Sequence, residues 1–184
     1  YAGLINKQIV ANLNALGSTS MGICGADANT IMAHKRKHPS IDFGFVGDVD
    51  EVNTNMLHAL LKENINIVIA PITQDINGQL LNTNADTIAQ EIAKALSKNM
   101  DTTLVYSFEK KGVMRDVHNE TSVIDKIDKA AFHKLKEENA IFAGMIPKLD
   151  NAFEAISAGV RKVVIGDAIE LIKLIKGESG TTIH

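Results

Sequence analysis

The stretch Ile65-Asn66-Ile67-Val68-Ile69-Ala70-Pro71 decides the fold class of this 184-residue chain. It is a short run of β-branched residues that ends at a proline. Such runs are typical of strands in the middle of a parallel sheet that has helices on both faces. The stretch therefore predicts an α/β protein.

Strands and helices alternate on both sides of this run. Apolar residues at positions 5, 9, 13 and 16 form one face of a helix that ends at Gly17, and Asn53 is placed to cap a second helix. The turn dipeptide Asn77-Gly78 leads into a third helix over residues 84–97 and is predicted to place Leu80 and Leu81 at its start. Further strands are predicted over residues 18–24, 30–34, 103–107, 163–165 and 181–183, a bent ribbon over 43–49, and helices over 128–138, 147–158 and 169–175. This order predicts a largely parallel sheet covered by helices.

The composition excludes several classes of protein. The formal net charge is -3, Trp is absent and aromatic residues make up 4%, so we expect no nucleic-acid partner. No apolar run approaches the roughly 18–20 residues that span a bilayer, so we expect no membrane partner. A single cysteine, Cys24, excludes an internal disulfide and favours a cytoplasmic location. The six histidines lack metal-ligand spacing, and we expect no metal site in the chain.

Three polar segments lie at loops or helix starts, which are the positions where open α/β sheets bind ligands. The first is Asn82-Thr83-Asn84-Ala85-Asp86, at the start of a helix. Asp86 could simply cap that helix, but two asparagines and an aspartate exceed what one cap requires. The surplus indicates that some of these side chains face a ligand.

The second segment is Gly144-Met145-Ile146-Pro147-Lys148. The helix dipole disfavours a lysine in the first turn of a helix, so Lys148 fits better if an anion such as phosphate binds there. The third segment, Glu109-Lys110-Lys111-Gly112-Val113-Met114, is either a solvated turn or a ligand loop. The chain contains neither a Walker phosphate loop nor a Gly-x-Gly-x-x-Gly motif.

These segments, in this order, resemble the amino acid kinase family. The resemblance rests on Asn82-x-Asn84-Ala85-Asp86, a Lys-Gly-Val turn and Gly144-Met145-x-x-Lys148. Supporting motifs run along almost the whole chain: Asn6-Lys7-x-Ile9-Val10, Gly44-Phe45-Val46-Gly47-Asp48-Val49-x-x-Val52-Asn53, Ile69-Ala70-Pro71-Ile72 and Gly180-Thr181.

The resemblance implies a three-layer αβα fold around a mostly parallel sheet, in a homodimer or a ring of dimers. Residues 1–72 would form the remainder of an N-terminal lobe that binds the amino acid substrate and carries the dimerisation side. Residues 73–184 would form a C-terminal nucleotide-binding lobe, and both lobes would belong to one kinase domain. It also implies a role for each matching residue. Asn82 would hold the amino acid substrate, Asp86 would orient the catalytic lysines, and Lys148 would be one of them. The positions expected to contact ATP are Glu109, Lys110, Lys111, Gly112, Val113, Met114, Ala140, Ile141 and Phe142.

The implied reaction transfers the γ-phosphoryl group of ATP, bound with Mg²⁺, to the side-chain carboxylate of an N-acylated glutamate, with no tightly bound cofactor. The motifs are most similar to those of members that act on N-acetyl-L-glutamate in the second step of arginine biosynthesis. Another N-acyl glutamate, such as N-succinylglutamate, is an open alternative. So is a regulatory domain that binds nucleotide or amino acid without catalysis.

Three features depart from the family pattern. The Lys-x-Gly-Gly motif, the glycine-rich loop after it and a substrate-binding arginine would all lie upstream of Tyr1, so we expect these 184 residues to be incomplete for activity. In addition, Phe108-Glu109-Lys110 stands where the family more often has Ser/Thr-Asp-Val, and Ala26 stands where a lysine is common.

Overall fold

Strands and helices alternate along the chain in a computed structural model that describes residues 1–116, 119–138, 140–141 and 143–184. The chain divides into two compact units, Tyr1–Ile92 and Ala93–His184. The boundary lies within one helix, beyond the division after residue 72 that we expected from binding roles. Because compactness does not test which ligand each part binds, that functional division stays a prediction.

The first unit contains three helices, the last of which continues into the second unit, and six strands. Their bounds are α1 Leu4–Ala15, β1 Ser20–Cys24, β2 Ile31–Lys35, β3 Gly47–Val52, α2 Thr54–Lys62, β4 Asn66–Ala70, β5 Ile72–Gln74, β6 Leu80–Asn82 and α3 Ala85–Ser97.

The β-branched run forms β4, which pairs in parallel with β1 from Ser20 opposite Asn66 to Cys24 opposite Ala70. This confirms the parallel pairing predicted from the sequence. Only Ala70 of this strand is fully buried, because β1 is its one paired neighbour in the described part of the chain. The three residues before it, Ile67, Val68 and Ile69, are half-buried. The burial on both faces that the sequence predicted for this strand is therefore incomplete.

Helix α1 packs on β1 through a polar residue. Asn6 is its one fully buried residue, and its Nδ2 donates a hydrogen bond to the Val68 carbonyl at 2.9 Å. A Cβ at Gly22 would collide with the Asn6 side chain, so glycine permits this close approach. The apolar stripe seen in the sequence lies largely outside, with Ile5, Ile9 and Leu16 exposed.

A second sheet in this unit has the strand order β3-β2-β5-β6. The turn at Asn77-Gly78 is confirmed: Gly78 has a φ of +81°, and Asp75 Oδ1 accepts hydrogen bonds from the backbone of Asn77 and Gln79. It joins β5 to β6 as an antiparallel hairpin. Leu80 and Leu81 therefore belong to a strand, and the prediction that they start the helix is wrong.

The second unit contains a four-stranded sheet with the order β7-β9-β10-β8. Its elements are β7 Thr103–Phe108, β8 Lys126–Ile127, α4 Lys129–Glu137, α5 Ile146–Ser157, β9 Lys162–Asp167, α6 Leu171–Lys176 and β10 Thr181–Ile183. Strands β7 and β9 pair in parallel, and β10 pairs antiparallel to β9. The core strand is β9, whose Val163, Val164 and Ile165 are fully buried.

The α/β class predicted from the sequence is confirmed, with antiparallel hairpins added to the parallel pairs. Strand β8 was not predicted, since two residues carry no periodic signal. Of the helices in the described ranges, none combines the length and apolar character that crossing a bilayer requires.

Candidate functional site

In the first unit, Asn82 ends β6 and is exposed. Its backbone N–H donates to the Phe45 carbonyl at 2.7 Å, so the main chain at this point is fixed. The next residue, Thr83, is buried, and its hydroxyl lies 2.8 Å from the Thr73 hydroxyl and 3.2 Å from the Gly47 carbonyl. A rigid backbone therefore presents the Asn82 side chain to solvent.

The cap of helix α3 is Asn84. Its Oδ1 accepts the backbone N–H groups of Asp86 at 2.8 Å and Thr87 at 3.3 Å. Asn84, and not Asp86, therefore caps this helix. Asp86 lies half-buried in the first turn, where the helix dipole favours a carboxylate.

In the second unit, the other two polar segments come together around one pocket. The pocket has a volume of about 550 Å³ and lies where β7 ends and α5 begins. Its lining combines aromatic and methionine side chains, two glycines and three charged groups: Phe108, Glu109, Lys110, Gly112, Met114, Gly144, Met145 and Lys148. The sequence predicted both segments as ligand sites, and the fold places them on the same cavity.

The wall formed by the turn after β7 is anchored to β10. The Val113 N–H donates to the buried Thr181 hydroxyl at 2.8 Å. A Cβ at Gly112 would lie only 2.7 Å from that same oxygen, so only glycine lets the turn approach β10 so closely. Val113 is fully buried, and its side chain therefore packs in the core and not against the pocket.

Lys148 is the third residue of α5 and is half-buried. Its Nζ lies 5.5 Å from the centre of the Tyr106 ring and 5.9 Å from that of Phe108. Leu149, the next residue, is fully buried and fixes this turn of the helix on the core. The lysine ammonium is therefore positioned beside the pocket by a rigid helix.

Several predicted ATP contacts do not line this pocket in the part of the chain that the structure describes. Ala140 is half-buried and Ile141 is buried. Lys111 is exposed near Glu170, whose pKa is lowered mainly by its hydrogen bond from Lys173, with a smaller effect of Lys111. Phe142 lies outside the described residues. Their contacts with ATP stay predictions.

Tyr106, Phe108 and Met145 are not among the site residues predicted from the sequence, although Phe108 and Met145 belong to two of its motifs. The signal available was the alternation along β7, which places residues two apart on the same face of a strand. Tyr106 and Phe108 have that spacing; Phe108 lines the pocket, and the Tyr106 ring lies beside Lys148. Met145 immediately precedes α5, within the segment that carries Lys148.

The amino acid kinase family profile matches residues 1–167 of the chain. The chain belongs to the amino acid kinase family. Among curated members, it is 52% identical over 171 residues to an acetylglutamate kinase of Parabacteroides distasonis, covering 93% of this chain and 67% of that protein. It is 51% identical over 183 residues to an acetylglutamate kinase of Bacteroides thetaiotaomicron, covering 100% of this chain and 70% of that protein.

Solved structures support the same fold. A Streptococcus mutans protein that is 27% identical superimposes with a TM-score of 0.77, covering 98% of this chain and 67% of its own. A Giardia carbamate kinase, 15% identical, gives a TM-score of 0.64 over 97% of this chain and 68% of its own. They confirm the amino acid kinase fold that the sequence motifs predicted.

The Thr181 anchor generates a stability prediction. Thr181→Val keeps the side-chain shape but leaves the buried Val113 N–H without its acceptor, so we expect a loss of about 1–3 kcal/mol in the free energy of unfolding. Denaturant unfolding measures it. Thr182→Val, on the half-buried neighbour, is the control and should change stability by less than about 0.5 kcal/mol. Equal effects of the two substitutions would contradict the anchoring role.

Proposed function

We propose that the protein to which these residues belong carries out the ATP-dependent phosphorylation of the side-chain carboxylate of N-acetyl-L-glutamate, giving an acyl phosphate in arginine biosynthesis. The observation that carries the proposal is the joining of Lys148 and the turn after β7 at one pocket. The identity of the acceptor is inferred from relatives named acetylglutamate kinase, which are about half identical to this chain along its length. We place the activity in the cytoplasm, in line with the single cysteine.

The proposed step is a phosphoryl transfer. An oxygen of the substrate carboxylate bonds to the γ-phosphorus of ATP, while the bond from that phosphorus to the bridging oxygen breaks and ADP leaves. Such reactions need little covalent help from protein groups and depend on positioning and on positive charge near the transferring oxygens. ATP enters with Mg²⁺ as the substrate complex, and the metal neutralises part of the phosphate charge.

The pocket of the second unit suits the nucleotide. Phe108, Met114 and Met145 offer apolar surface for a base or a ribose, while Lys110 and Lys148 offer positive charge for phosphates. The start of α5 adds backbone N–H groups, which favour phosphate at a helix N-terminus. Lys148 is therefore the residue we assign to stabilising charge on the transferring group.

The polar segment of the first unit suits the amino acid substrate. Asn82 is exposed on a fixed backbone, as a hydrogen-bonding group for a small polar ligand should be. Asp86 is released from capping by Asn84, and we assign it the organising role that the family resemblance gives it. The expected homodimer also stays part of the proposal, supported by the exposed apolar stripe of α1.

The reaction is tested by trapping the product. The purified protein, expressed from its complete gene, is incubated with MgATP and either N-acetyl-L-glutamate, N-succinyl-L-glutamate or free glutamate, and hydroxylamine converts any acyl phosphate to a hydroxamate. We expect hydroxamate with the N-acetyl substrate and almost none with free glutamate. Preference for the N-succinyl substrate would support the proposed kinase reaction but with N-succinyl-L-glutamate as the acceptor. Nucleotide binding without hydroxamate from any acceptor would instead support a regulatory domain.

Lys148→Ala should lower kcat by roughly 10²–10³-fold, because it removes positive charge from the transition state. The KM values for both substrates should change by less than about threefold if the lysine acts mainly in that state. Lys134→Ala is the matched control, since Lys134 is exposed on α4 and contacts Glu138. Unchanged turnover in Lys148→Ala would refute the assignment.

Asp86→Asn should also lower kcat, by about 10-fold or more, because the amide keeps the shape but loses the charge that organises cationic groups. Steady-state kinetics with both substrates measures the effect. Asp50→Asn serves as the control on an exposed carboxylate that contacts His34. If Asp86→Asn raises only the KM for ATP and leaves kcat unchanged, the organising role is wrong.

A further inference from the structure

The ammonium of Lys148 lies against a pair of aromatic rings. Tyr106 and Phe108 stand two residues apart on β7, so both rings emerge from the same face of the strand. Tyr106 is 4% exposed and is not among the residues that line the pocket, whereas Phe108 is half-buried and lines it. The Nζ atom is within 5.9 Å of both ring centres.

This arrangement addresses an electrostatic problem of the site. A lysine in the first turn of a helix meets the positive end of the helix dipole, which opposes its charge. The faces of aromatic rings are electron-rich and attract a cation within about 6 Å of the ring centre. Both rings meet that distance, so they can hold the ammonium at a helix start that otherwise repels it.

Aromatic rings also differ from a carboxylate in what they leave for a ligand. A carboxylate in contact with an ammonium neutralises it and competes with an incoming phosphate. A ring face attracts the ammonium through its quadrupole and carries no net charge. The rings therefore add attraction for the ammonium without adding a negative charge that would compete with the phosphoryl group.

We propose that Tyr106 and Phe108 are positioning residues that hold the Lys148 ammonium at the pocket through cation–π contacts. This inference rests on the proposed phosphoryl transfer, because Lys148 is the group through which the rings act. Tyr106 forms the buried base of this platform. Phe108 contributes both to the platform and to the pocket lining.

A simpler alternative is that the rings only pack against the methylene stem of the lysine. Leucine distinguishes the two, since it offers apolar packing without a ring face. Under the alternative, Tyr106→Leu would leave the position of the ammonium and the rate of transfer nearly unchanged. If the rings hold the lysine through cation–π contacts, both the position of the ammonium and the rate of transfer change.

The first experiment is steady-state kinetics on Tyr106→Leu. We expect kcat to fall about 3- to 10-fold, with the KM for ATP within about twofold, because a cation–π contact at a partly desolvated site has that strength. Tyr106→Phe retains the ring and should recover at least about half of the wild-type kcat. Phe153→Leu, which removes a ring stacked on Phe132 away from the pocket lining, is the control and should leave kcat unchanged.

A double-mutant cycle then tests whether the ring acts through the lysine. In a Lys148→Met background, Tyr106→Leu should cause no further loss of the residual rate, whereas a general structural effect would lower both backgrounds equally. Phe108→Leu provides a second, less buried test of the same contact if Tyr106→Leu does not fold.

A measurement without turnover completes the test. The ε-methylene NMR signals of Lys148, assigned by their loss in Lys148→Met, should be shifted upfield by the two rings and return towards ordinary lysine values in Tyr106→Leu or Phe108→Leu. Signals already at ordinary values in the wild type, or unchanged kcat in both leucine variants, would overturn the platform. A wild-type protein with shifted signals but no phosphoryl transfer would instead refute the proposed function and leave the ring contact standing.

Discussion

The pocket of the second unit depends on one buried contact, the hydrogen bond from the Val113 N–H to the Thr181 hydroxyl. It ties the turn after β7 to β10, and β10 is held in turn by antiparallel pairing with the fully buried strand β9. Gly112 is required there because a Cβ would occupy the space of the threonine oxygen. One wall of the pocket is thus fixed by the core of the sheet and not by the charged residues of the turn itself.

The wall of the pocket that α5 forms is also fixed by buried residues. Helix α5 buries Leu149, Ala152 and Ala155 completely, which fixes the rotation of the helix about its axis. That rotation leaves Lys148 at the edge of the buried face, beside the pocket. In the first unit, the buried pair Thr73 and Thr83 fixes the backbone that presents Asn82. In both units, an exposed or half-buried polar group stands directly beside a buried residue, so that the core determines its position.

The sequence predicted much of this because the signals were local. The β-branched run before Pro71, the Asn77-Gly78 turn and the cap at Asn53 act over a few residues, and the structure has all three. The rule that ligands bind at strand ends and helix starts singled out the segments 109–114 and 144–148 as candidate ligand sites, and the two segments share one pocket in the structure. The rest depended on tertiary contacts. Leu80 and Leu81 join β6 because β5 is there to pair with them. The α1 stripe is exposed because Asn6 makes the closest contact with the sheet.

The aromatic pair illustrates how a departure from a family pattern can carry information. Phe108, the last residue of β7, stands where the family more often has a serine or threonine, and the sequence alone shows this only as a departure from the family pattern. In the fold, the same substitution places a ring within reach of Lys148 and lines the pocket with apolar surface. Apolar walls lower the local dielectric, so each remaining charge acts more strongly on a bound phosphate. In the proposed platform, the ring at position 108 helps to hold the Lys148 ammonium through a cation–π contact, which a serine or threonine hydroxyl in its place could not make.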